Sequence, residues 1–129
     1  MKHPTIEAIT KKHIDSVNHP DIHTGDTVVV SMNVTEGNRK RVQKYRGVII
    51  AMRNRGIASS ITVRKVSGDH ATERVLPLYS KQIAKIEVER LGDVRRAKIL
   101  EQRHLRGRKA RIKQKLPKKT AKVSQPSDK

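Results

Sequence analysis

The stretch Gly25-Asp26-Thr27-Val28-Val29-Val30-Ser31-Met32-Asn33-Val34 decides the architecture. From Thr27 onward Val28, Val30, Met32 and Val34 alternate with Thr27, Val29, Ser31 and Asn33, a period of two that gives a strand one better-buried face. Gly25-Asp26 punctuates the chain before it, and Glu36-Gly37-Asn38 turns it afterwards. A second strand is predicted from Val42 to Arg53, interrupted by Gly47, where a bulge or a close backbone approach lets it bend. Asn54-Arg55-Gly56 is the next turn. Ser59 to Ser67 predicts a third strand, with Ile61 and Val63 inward and Thr62 and Arg64 outward, ended by Ser67-Gly68-Asp69. Shorter runs at Glu73 to Leu78 and Ile83 to Glu89, separated by the loop around Ser80, bring the count to five. Short strands, tight turns and little apolar material predict a mainly β fold, a compact barrel over residues 21–91 rather than an open sheet.

Outside this region the period changes. Pro4 to about Val17 has helical spacing, with Ile6, Ile9, His13 and Val17 on one stripe, Pro4 suited to the first turn and Glu7 to the positive helix end. Residues 1–20 therefore predict a short helix packing on the barrel, closed by the turn Asn18-His19-Pro20-Asp21. After Leu91-Gly92 helical spacing returns: Asp93 is placed to cap, and Val94, Ala97, Leu100 or Glu101, and His104 fall on successive turns until Gly107. This predicts a basic helix and extension over 92–113. The Lys, Thr, Ser and Pro of 114–129 offer nothing to bury, which predicts a disordered basic tail.

Charge points to the partner. The chain has 129 residues and a formal charge of +18, and +12 of it lies between Arg90 and Lys129, where fifteen Lys/Arg face three Asp/Glu. So dense a block repels itself in a free monomer and is compensated by a polyanion, most commonly nucleic acid, because each neutralised phosphate releases a condensed counterion. With no Trp, no Phe and only Tyr45 and Tyr79, base stacking on an aromatic platform is nearly unavailable. Recognition must then rest on phosphates, sugar hydroxyls and shape. The absence of Cys removes disulfides and thiol chemistry and suits a reducing compartment. No apolar run reaches membrane-span length and no secretion signal opens the chain, so a cytoplasmic protein is expected, with no membrane partner and no homo-oligomer.

Four basic clusters fall where strands turn or end: Arg39-Lys40-Arg41, Lys44 with Arg46, Arg53 with Arg55, and Arg64-Lys65. Each alone is as readily dispersed solvated charge as a binding surface. With the C-terminal block they favour binding, because the body holds too little acid to pair them internally. Ser59, Ser60 and Thr62 offer hydroxyls to phosphate or ribose, and hydroxyls are equally good strand formers. His19 and His23 have metal-like spacing, but Pro20 between them prevents one continuous helix from presenting both. Glu87 and Glu89 alternate along a strand and balance neighbouring cations. No catalytic, cofactor or metal constellation is present in the sequence.

Ordered strings then narrow the reading. Gly25 to Val30, Glu36 to Ile50, Ser59 to Val66, Glu73 to Ser80, Ile86-Glu87-Val88 and Gly92-Asp93-Val94-Arg95-Arg96-Ala97-Lys98 resemble, in order and spacing, the bacterial large-subunit ribosomal protein L-nineteen family, over roughly Pro4 to Lys113. Departures remove aromatic groups: Leu76 stands where the family has Phe, and Ile99-Leu100-Glu101-Gln102-Arg103 replaces a Leu-Tyr-Tyr-Leu-Arg run. Lys81 takes the place of a Pro. The resemblance implies an SH3-like barrel with an N-terminal helix and a basic C-terminal helical extension. It also implies a structural, non-enzymatic role: binding large-subunit rRNA beside neighbouring large-subunit ribosomal proteins, and helping to bridge to small-subunit rRNA. Arg39, Arg41, Lys44, Arg46, Arg53, Arg55, Ser59, Ser60, Arg64 and Lys65 on the body, with Arg95, Arg96, Lys98, Arg103, Arg106, Arg108, Lys109 and Arg111 on the extension, are the expected RNA contacts. A DNA-compacting or general RNA-chaperone protein with a cationic tail is the competing class, and an RNA-processing enzyme a more distant one.

Overall fold

The computed structural model describes residues 3–116. Helix α1 spans Pro4–Asp15, and five strands follow: β1 Thr27–Glu36, β2 Arg39–Arg53, β3 Ser60–Ser67, β4 His70–Pro77 and β5 Ile83–Arg90. All pair antiparallel in one sheet of order β4-β3-β2-β1-β5. The alternation read from β1 is realised: Val28 and Val30 are fully buried, as are Ile49 of β2 and Ile61 and Val63 of β3. Each such side chain contributes about 1.5–3 kcal/mol relative to exposure.

The sheet is curved but does not close into the expected barrel. Strands β4 and β5 occupy opposite edges and share no ladder among the described residues. Register shifts opposite Thr27/Val28, Ser31/Met32 and Ile49/Ala51 bend it, and bulges of this kind increase local twist. The edges meet through side chains instead. Leu76 of β4, Leu78 just after it and Ile86 of β5 share one core with Tyr45 and Val30. Gly47 lets β3 approach, since a Cβ there would lie 2.6 Å from the Arg64 carbonyl oxygen.

The helix forms where expected but its stripe does not pack. His3 caps α1 and Pro4 opens it, yet none of its residues is buried, and Ile6 and Ile9 are 61% and 65% exposed. It is held by its far end. His13 Nε2 meets the Tyr79 carbonyl at 3.1 Å, His19 meets the Leu78 carbonyl, and the His19 and Tyr79 rings pack with centroids 5.7 Å apart.

Residues 92–113 are not an α-helix. They run irregularly through two 3-10 turns, Leu100–Arg103 and Gly107–Ala110. The reason is competition for the backbone. Ile99 N–H donates to the Ile50 carbonyl (2.9 Å), and the Ala97 carbonyl accepts from Thr24 Oγ1 (2.8 Å). These bonds to the body replace helical ones, and the helix would also have stacked like charges one turn apart. The segment then returns to its own start. Asp93 N–H donates to the Lys113 carbonyl (2.8 Å), Lys115 N–H to the Leu91 carbonyl (2.9 Å), and Gly92 bridges Gln114. Gln114 and Lys115, expected in the tail, thus belong to the docked loop. From residue 117 the expected tail lies outside the described residues.

Candidate nucleic-acid interface

The loop is fastened by Asp26. This side chain is 1% exposed; its Oδ2 accepts from His23 N–H and its Oδ1 from Gly92 N–H, each at 2.9 Å. Gly25 and Gly92 make the approach possible. A Cβ on Gly92 would fall on the Gly25 carbonyl, and Gly25, with φ of 94°, supports Val94 from below. A second fastening lies at Glu73 on β4. Its carboxylate accepts from Arg103 Nε and Nη2 (both 2.9 Å) and from Arg64 Nη1 (3.0 Å). The Arg103 hydrogen bonds, with a further contribution from Arg64, hold the Glu73 carboxyl below its ordinary range despite partial burial, and Arg103 is raised in turn.

Between these fastenings the loop stands off the sheet and leaves a groove of about 890 Å³. Arg46, Arg64 and Arg90 line it from the strands, Arg103, Arg106 and Arg111 from the loop, and Lys65 and Asp69 from the end of the β3–β4 hairpin. Asp69 is the one carboxylate in this lining. Arg46 is bound bidentately by Glu89 (2.5 and 2.8 Å). That contact lowers the Glu89 carboxyl and raises the guanidinium. Arg90, Arg106 and Arg111 have no carboxylate partner among the described residues.

The expected contact residues thus divide. Arg46, Arg64, Lys65, Arg103, Arg106 and Arg111 are brought together at the groove. Lys44 lies on the same outer face, opposite Ser31 and near Glu87, whose carboxyl is lowered by Lys85 first and by Lys44 to a lesser degree. Arg39 and Arg41 sit at the tip of the β1–β2 hairpin, and Arg41 pairs with Glu36 at 2.6 Å. Arg53, Arg55 and Ser60 cluster at the far end of β2, with Arg53 opposite Ser60. Ser59 is buried there. Its hydroxyl accepts from Arg55 N–H (3.0 Å) and donates to the Gly56 carbonyl (2.6 Å), so it organises the turn. Arg95, Arg96 and Lys98 follow one another on an exposed stretch, where Arg96 pairs with Glu101, while Arg108 and Lys109 project from the second 3-10 turn.

The body does hold too little acid to pair all of these groups: Arg41, Arg46 and Arg64 have a carboxylate partner, while Arg39, Lys40, Lys44, Arg53, Arg55 and Lys65 have none among the described residues. In the C-terminal segment Arg96 and Arg103 are paired as well. Glu87 and Glu89 do balance strand neighbours, Lys85 and Arg46, as their alternation suggested. Arg90, the last residue of β5, also lines the groove, although it is not among the individually expected contacts. Its only sequence signal was its place at the head of the basic block.

A curved antiparallel sheet carrying a docked cationic loop over an arginine-lined groove is a compact basic module of the kind that sits against polyanions. Residues 4–115 match the family Ribosomal protein L19, and the chain belongs to that family. The match runs from the start of α1 to the last residue paired back onto Leu91, so it takes in the sheet, the loop and the groove. Membership makes this a structural ribosomal protein of translation, associated with rRNA and other ribosomal proteins, in a family not known for enzymatic activity.

Proposed function

We propose that the protein binds large-subunit rRNA near the inter-subunit interface and supports a bridge to the small subunit, with the arginine-lined groove as its principal rRNA contact. One observation carries this reading: six arginines from four separate strands and loops line a single groove, and three of them, Arg90, Arg106 and Arg111, have no carboxylate partner among the described residues. Phosphate is the ligand that satisfies planar guanidinium forks at that density. Arg90, Arg106 and Arg111 are the bidentate phosphate ligands, while Glu73 spaces Arg64 and Arg103 so that the walls keep their separation. Arg95, Lys98, Arg108 and Lys109, on the exposed side of the loop, reach neighbouring backbone segments. The barrel-like curvature, although the sheet is open, supplies the rigid platform that an SH3-like module would.

The test is sedimentation with footprinting. Tagged protein should travel with large subunits through moderate-salt gradients and protect discrete rRNA segments, and Arg106→Gln/Arg111→Gln should weaken that protection. Protein that runs free of large subunits rejects the reading. Equal affinity for duplex DNA without a sharp footprint would favour the DNA-compacting alternative.

A further inference from the structure

We propose that the arginine-lined groove is a pocket for one unstacked nucleotide, whose base enters between the sheet and the docked loop while the phosphates on either side of it take the rim arginines. The proposal rests on the reading of the groove as an rRNA contact and goes beyond it, since a backbone contact needs only the rim. What lies between the cations carries it. Val48, Val66 and Ala71 from the sheet, with Leu105 and Ile112 from the loop, line the same groove as the arginines. Phosphate has no affinity for such aliphatic groups.

Strand register builds the floor. Val48 stands opposite Arg64 across the β2–β3 ladder, and Val66, two positions on, stands opposite Ala71 of β4. Paired residues and every second residue along a strand share a face. These three therefore lie with Arg46 and Arg64 on the outer side of the sheet, away from the core that holds Ile49 and Val63. The floor is left uncovered: Val66 is 59% exposed and Val48 half-buried. Opposite it, Leu105 and Ile112 are half-buried on the loop. The gap is held open by its fastenings. Arg64 spans it, donating through Nη1 to Glu73 (3.0 Å) and through Nη2 to the Arg103 carbonyl (3.4 Å). The bonds of Ile99 to Ile50 and of Lys115 to Leu91 fix the loop beyond it. At about 890 Å³ the groove falls within the range of roughly 300–1,000 Å³ typical of pockets for small ligands.

A nucleotide meets both demands of this lining. Its base is a flat plate with apolar faces, and its phosphate is an anion. Bases splayed out of a helix are held on aromatic rings, on guanidinium planes or between apolar side chains. With no Trp and no Phe in the chain, the aliphatic floor and roof take that role. Arg90, Arg106 and Arg111, without carboxylate partners among the described residues, are left for the flanking phosphates. An uninterrupted duplex keeps its bases stacked inside, so it satisfies the rim and leaves the floor wet. The groove accordingly selects RNA with an extruded nucleotide, in a bulge or a loop, over continuous duplex.

The experiment titrates full-length protein with three short RNAs: a duplex carrying one bulged 2-aminopurine, the same duplex with an abasic residue at the bulge, and an uninterrupted duplex. The bulged RNA should bind about five- to tenfold more tightly than the other two, the lower range for a base held on a protein surface. Its 2-aminopurine emission should rise as the base leaves its neighbours. Ala71→Leu fills the floor without changing charge and Val66→Ser strips it. Each should erase the preference and the emission change while affinity for the uninterrupted duplex stays as it is, with amide exchange of β3 verifying the fold. Equal affinity for the bulged and abasic RNAs, a preference unmoved by both variants, or free ATP binding as tightly as the bulged RNA would overturn the proposal. Arg106→Gln/Arg111→Gln tests the underlying reading separately. A loss of affinity for all three RNAs, with no preference for the base in wild type, would keep the groove as an rRNA contact and reject the pocket; unchanged affinity for all three would reject the groove reading itself and the pocket with it.

Discussion

Asp26 concentrates the residue-scale logic of the fold. A buried carboxylate is costly unless its oxygens are occupied, and here two backbone N–H groups from segments far apart in sequence occupy them. Asp26→Ala removes both acceptors and should destabilise the protein by about 1.5–3 kcal/mol, the range for hydrogen bonds to charged groups, read as a lowered midpoint in urea. Gly92→Ala acts by collision rather than loss. Its Cβ would meet the Gly25 backbone, which cannot swing aside as a flexible side chain would. A cost of about 1–3 kcal/mol is expected, with faster amide exchange at Ile99 as the loop lifts. Gly25-Asp26 was readable as punctuation before a strand, but its partner was not, because Gly92 carries no local mark of a contact 66 positions away.

For the loop of residues 92–115 as an element, Glu73 is the main electrostatic tie to the sheet. The Arg103 hydrogen bonds lead in holding its carboxyl below the ordinary 4.5, against burial and with help from Arg64. A carboxyl with a folded value below its unfolded one contributes stability that is whole above the unfolded value and lost as pH falls through the folded value. Protection of the Ile99 amide should therefore hold above pH 4.5 and fall on further acidification. Glu73→Gln should show reduced protection already at neutral pH and lose this part of the acid profile; a profile matching wild type would show that the loop is held without Glu73. The same variant separates two views of the groove. If net charge alone mattered, removing an acid would tighten RNA binding, whereas the spacing role of Glu73 predicts weaker binding.

Across the whole molecule, affinity for RNA should be steeply salt-dependent and attributable to particular cations. Neutralising Arg106 or Arg111 to Gln should flatten the dependence of log affinity on log salt by about 0.7–0.9 for each lost phosphate contact. Glu89→Gln should move the slope the other way by a similar increment, since it frees Arg46 for phosphate. Titration of short RNA against salt checks both, and a slope insensitive to Arg106 and Arg111 would remove them from the interface.

Strand placement, the turn positions, the location of α1 and the cationic C-terminal block were all legible along the chain, because period-two burial, Gly-Asn turns and charge density are local properties. So was the family, since its strings keep their order and spacing. What could not be read there depended on contacts between distant segments. Spacing alone allowed Val94, Ala97, Leu100 or Glu101, and His104 to be taken as one helical face, but bonds from the Ala97 and Ile99 backbone to the body outcompeted the helix. An arginine looks the same in sequence whether it meets a carboxylate or solvent. Pairing of Arg46 with Glu89 and of Arg103 with Glu73 spans 43 and 30 residues, and it arises only once the sheet has set β2 and β5 on either side of β1 and the loop has docked against β4. The folded chain thereby separates arginines that hold the structure from those left facing outward.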